Sequence, residues 1–119
     1  VIKEIINTRK IMKMSTNRLK QNITYIDVLA KAKRAQRKAL LETSDPSLIL
    51  CLCECISNVL NGNVPLKPNE LNKLKRSQAI LRKLSTQNIP TKQRKELLVQ
   101  KGGFIPALLT PILGLQAHY

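Results

Sequence analysis

A chain of 119 residues has room for one small domain with a modest core. With aromatic side chains at 3%, that core has to be built from Leu, Ile, Val, Ala and Cys, which suits packed helices. Lys and Arg number 21 against 7 Asp and Glu, and a formal charge of +14 strains a compact state by self-repulsion unless counterions or a polyanion offset it. Nucleic acid is the commonest such partner.

In chain order, residues 1–20 place Ile2, Ile5, Ile6, Ile11, Met12 and Leu19 among Lys3, Arg9, Lys10, Lys13, Arg18 and Lys20, the pattern of a basic amphipathic helix that Ser15 and Thr16 can interrupt. No secretory signal is read there, and Val1 as first residue leaves the native start expected upstream. Thr24 with Asp27 three residues on resembles a capping box, so a second helix is expected from Thr24, with Ile26, Leu29, Ala32 or Lys33, Ala39 and Leu40 on its apolar side. Its other side stacks Lys31, Arg34 and Lys38 at helical spacing, joined by Lys33 and Arg37. Like charges so placed repel by tenths of a kcal/mol per pair, so a ligand explains the cluster better than folding does. The sequon Asn22-Ile23-Thr24 is read as chance.

The stretch Asp45 to Asn63 is nearly free of charge and is where the fold must condense. Asp45 suits an N-cap, Pro46 position N1, and Gly62 the left-handed conformation that closes a helix, here expected over Pro46 to Leu60. Ile49, Leu52, Cys53, Ile56, Val59 and Leu60 form its stripe, which Leu48, Cys51 and Cys55 extend almost all the way round. Such a helix belongs at the centre of a bundle. The three cysteines lie within this one helix without a second ligand pair, so they read as buried, reduced hydrophobes rather than disulfides or a metal site.

After a loop at Asn63 to Pro68, a helix is expected from Pro68 to about Ser85, with Glu70 at its positive end. Leu71, Leu74, Ile80 or Leu81, and Leu84 point inward, while Lys73, Lys75, Arg76, Arg82 and Lys83 point out. Gln87 to Pro90 turns the chain, and Thr91 is expected to cap a short helix over Lys92 to Lys101, with Leu97 and Leu98 inward and Lys92, Arg94, Lys95 and Lys101 outward. Gly102-Gly103 ends it. Phe104 to Leu115 is then uncharged, and Pro106 and Pro111 weigh against one regular helix. Its length excludes a simple membrane crossing. Folding back to complete the core, docking on a partner and lying in an interface all remain open.

The expected fold is therefore all-α: a bundle of four or five helices over residues 1–101 and an apolar tail over 102–119 with Gly and Pro. Alternating apolar patterns that would mark strands are missing, and no internal repeat is found.

Catalysis is not expected. The single histidine, His118, stands at the chain end, the acids are scattered, and four glycines supply no phosphate-cradling loop, so neither cofactor nor metal is implied. Residues 1–44 carry 11 basic and 3 acidic side chains, residues 45–66 none and 2, and residues 67–119 carry 10 and 2. Two cationic arms thus flank a neutral middle. The candidate nucleic-acid contacts are Lys31, Lys33, Arg34, Arg37, Lys38, Lys73, Lys75, Arg76, Arg82, Lys83, Lys92, Arg94, Lys95 and Lys101. Tyr25, Phe104 and Tyr119 are too few to stack bases, so backbone contact with little sequence preference is expected, with DNA favoured over RNA.

Lys95 to Leu115 resembles the tail of the adenoviral core protein X precursor, the mu peptide family. There a basic stretch leads into Gly-Gly, aliphatics, Pro, a short aliphatic run and a second Pro; Gly102, Gly103, Pro106 and Pro111 hold those places here. Cys53-Glu54-Cys55, Asn58 to Leu66 and Leu81 to Leu84 are similar to small proteins of Maverick or Polinton-type transposons and adenovirus-like elements. The resemblance implies a DNA-condensing protein of a virion or mobile element, located in the nucleus or virion. The mu family has a short arginine-rich peptide where this chain has a helical bundle, so no binding residue is carried across. The alternative is a helical module associated with a capsid or ribonucleoprotein. In either reading Phe104, Ile105, Leu108, Leu109, Ile112 and Leu113 are expected to dock on capsid protein, a membrane or a second copy of the chain.

Overall fold

The computed structural model describes residues 18–86 and 88–116, and all but the last three residues of the helix expected over 1–20 lie outside them. Among the described residues the architecture is an all-α bundle without strands.

The first helix among the described residues, α1, includes 18–31. Leu19, Asn22, Ile26 and Leu29 are buried at helical spacing, so one face packs inward. Thr24 lies inside this helix and does not cap it; the chain instead breaks at 32–33, after which α2 runs Arg34–Glu42. Asn22 donates to Arg18 O at 2.8 Å and Ser47 Oγ at 3.1 Å, a buried role that leaves the sequon without accessibility.

Helix α3, Pro46–Leu60, is the centre of the molecule and packs against the fifth, sixth and seventh helices. Its ends follow from the residues that flank it. Leu48 N donates to Asp45 Oδ1 at 3.0 Å, Pro46 occupies the first turn, and Gly62 adopts φ 73° beyond the carboxyl end. Asn58 and Asn63 are buried together: Asn58 Nδ2 donates to Glu54 O at 2.9 Å, and Asn63 Nδ2 donates to Asn58 Oδ1 at 3.2 Å. Cys51, Cys53 and Cys55 are buried free thiols, as read from the sequence.

The single helix expected from Pro68 to Ser85 is two: α4, Pro68–Arg76, and α5, Gln78–Ser85. Ser77 between them has φ −107° and ψ 17°, outside the helical region. Glu70 Oε1 accepts from Lys67 N at 2.9 Å and so closes the start of α4. Leu74, Leu81 and Leu84 are buried, whereas Leu71, expected inside, is 40% exposed.

Helix α6, Thr91–Lys101, takes Pro90 rather than Thr91 as its cap and continues through a 3₁₀ turn, Gly102–Phe104, into α7, Ile105–Gln116. Residues 105–116 are thus α-helical, against the reading of the prolines. Pro111 removes one helical hydrogen bond at a cost of about 3 kcal/mol. Against this, Phe104, Ile105, Leu108, Leu109 and Ile112 are buried, each contributing roughly 1.5–3 kcal/mol, so burial wins. Together with α6 this run, Thr91–Gly114, is long and apolar enough by length and composition to cross a membrane, but its apolar side is spent on the bundle, where α7 packs on α3 and α4.

The docking surface expected at Phe104, Ile105, Leu108, Leu109, Ile112 and Leu113 is consequently corrected. The first five are core residues and Leu113 packs against the core.

Candidate polyanion interface

Helices α2 and α6 lie against each other, and their packing joins the two cationic arms. On α2, residues 34, 37 and 38 share a face at helical spacing. Lys101 closes α6 opposite them. Arg34, Arg37, Lys38 and Lys101, with Val99, Gln100, Gly102 and Gly103, line a cavity of about 270 Å³ with no carboxylate in its wall. Arg34 and Lys101 are exposed, Lys38 is half-buried, and Arg37 is only 9% exposed.

Arg37 departs from the outward orientation expected of it. It stands four residues before the buried Leu41, on the inward stripe of α2. Burial, and then the neighbouring Arg34 charge, lower its pKa from the ordinary arginine value, although a guanidinium remains charged at any physiological pH. Among the described residues its side chain has neither hydrogen bond nor ion pair.

An adjoining cavity of about 420 Å³ shares Val99 and Gln100 and adds Lys92 and Lys95, but Glu42 and Glu96 are in its wall. Its field is mixed. Lys95 is further committed, because its Nζ donates to Ser44 O at 2.9 Å and ties α6 to the turn before α3. Arg94 is committed more fully: Nε donates to Ile89 O at 3.0 Å and a terminal nitrogen to Thr86 O at 2.6 Å, clamping the α5–α6 connection. Lys31 pairs with Asp27 one turn earlier at 3.0 Å.

Lys73, Lys75 and Arg76 are exposed in the last turn of α4, as are Arg82 and Lys83 in that of α5. There they complement the negative helix ends as well as facing solvent. Lys33 and Lys92 are exposed as well, and Lys20 and Lys67, omitted from the expected set, join them. Among the described residues none of these cations is in an ion pair.

The structure therefore brings Arg34, Arg37, Lys38 and Lys101 together, leaves the α4 and α5 cations on other elements, and assigns Arg94 and Lys95 to the scaffold. Gly103 in the cavity wall was absent from the expected site, since no local spacing links it to α2. The described residues hold no cluster of His, Cys, Asp and Glu able to bind a metal. No protein-family model, curated protein or solved structure matches the chain.

Proposed function

We propose that this chain is a non-catalytic, largely sequence-independent binder of nucleic-acid backbone, DNA above all, that condenses its ligand by neutralising phosphates. The observation that carries the reading is a charge of +14 whose exposed members on α2, α4, α5 and α6 lack acidic partners among the described residues. Unpaired surface cations attract condensed phosphate charge and release its counterions. The scarcity of aromatic side chains disfavours recognition by base stacking. A DNA-packaging role in a virion or mobile element is the setting that the resemblance to the mu peptide family adds. The burial of Phe104, Ile105, Leu108, Leu109 and Ile112 supports a reading carried by the basic surface over one carried by an apolar docking tail.

Fluorescence anisotropy with labelled duplexes of unrelated sequence tests this. If the chain engages six or more phosphates, affinity should fall on the order of a thousandfold between roughly 50 and 200 mM salt. It should also vary little among duplexes. Binding that ignores salt, or that selects one sequence strongly, overturns the proposal.

A further inference from the structure

The cavity between α2 and α6 is more than a patch of surface charge. A guanidinium with neither an ion pair nor a hydrogen bond is poorly compensated wherever the fold withdraws it from water. Arg37 is nine-tenths buried and has no such partner among the described residues. No sealed side-chain nitrogen or oxygen among the described residues lacks a hydrogen bond, so its unbonded nitrogens are not sealed, and Arg37 is one of the residues that line the cavity. Arg34, Lys38 and Lys101 stand around the same space, and their mutual repulsion works against the fold. At about 270 Å³ the space far exceeds the about 15 Å³ that one water requires. Gly103 adds no side chain, and a Cβ built there meets nothing within 4 Å, so the wall is open on that side.

We infer that this cavity is a seat for one phosphate group, with Arg37 as its buried anchor and Arg34, Lys38 and Lys101 as its rim. A guanidinium presents paired N–H donors that match two phosphate oxygens, and the lysines supply flexible charge. The phosphate can come from a nucleic-acid backbone or from free phosphate or polyphosphate. The choice of phosphate over other oxyanions rests on the polyanion reading above; the cavity and its unpaired guanidinium do not.

The test uses the full chain, labelled with ¹⁵N, and follows the Arg37 side-chain Nε–H and the amides of Lys101 to Gly103 while inorganic pyrophosphate is added. The expected result is a saturable shift at these groups. It should weaken at least about tenfold in Arg37→Gln, the loss of one charge-assisted contact, and recover in part in Arg37→Lys. Prior addition of a short DNA duplex that suppresses the shift identifies the backbone as the source; a shift that survives saturating duplex identifies free phosphate. Absence of any shift at Arg37 in the unmodified chain overturns the seat whether or not the variants fold. Salt-dependent duplex binding alongside that absence leaves the polyanion reading standing, and pyrophosphate binding without duplex binding leaves the seat standing and removes the nucleic-acid reading.

Discussion

Cys53 and Cys55 show how single buried groups set the response of this protein to pH. Burial pushes the Cys53 thiol above its ordinary pKa. Cys55 is held well above it, first by its hydrogen bond to Cys51 and then by burial. The same bond lowers Cys51, whose sulfur accepts from its neighbour. A thiol raised in the folded state keeps its proton where the unfolded chain has lost it. The stability it contributes is fully present below the unfolded value, near 8.5, and is lost as pH rises through the folded one. Thermal unfolding at about pH 7 and about pH 10 should therefore show a larger alkaline loss for the native chain than for Cys53→Ala/Cys55→Ala. Equal losses would show that these thiols do not carry the effect. The buried amides make a second residue-scale case, since Asn58 both donates to Glu54 O and accepts from Asn63. Asn58→Ala strands the Asn63 side chain and should cost about 1–3 kcal/mol in a denaturant titration. A loss within a few tenths would mean that water replaces the pair.

The elements divide according to where their information resides. Helix α3 was legible to the residue because Asp45, Pro46 and Gly62 are local signals that act through the chain's own backbone. The breaks at 32–33 and at Ser77 carry no Pro or Gly, and the residues around them favour helix. Tertiary packing decides there, since α2 must turn to reach α6 while α4 meets α7 and α5 meets α3 and α6. The same limit hid the candidate site. The cluster on α2 was visible as charge, but its meeting with Lys101 and Gly103 joins positions more than sixty apart in sequence. Arg37 itself had a local cue, its place one turn before Leu41 on an apolar stripe. For α7, the prolines read as breakers, yet the apolar residues around them outweigh the lost hydrogen bond. Leu108→Ala on this helix should accordingly cost about 2–5 kcal/mol, as deletion of a fully buried side chain does, and Leu113→Ala much less. Comparable small losses at both positions would show that α7 is not part of the cooperative core.

For the whole molecule, charge sets two opposite dependences on salt. The free chain, at +14, is destabilised by repulsion among its cations, most of which lack an acidic partner among the described residues, and added salt screens that repulsion. Its melting temperature should rise from low to moderate ionic strength. A bound duplex stabilises the folded state by mass action, about 2.7 kcal/mol at a hundredfold excess over Kd. For a domain of this size that is on the order of 10 °C. Salt weakens this contribution because it opposes counterion release. Melting curves with and without duplex should therefore converge as salt increases, with the free protein rising to meet the complex. A free protein that loses stability with added salt would mean that its cations are compensated within the fold. An unchanging gap between the curves would mean that the duplex is held by contacts other than phosphate charge.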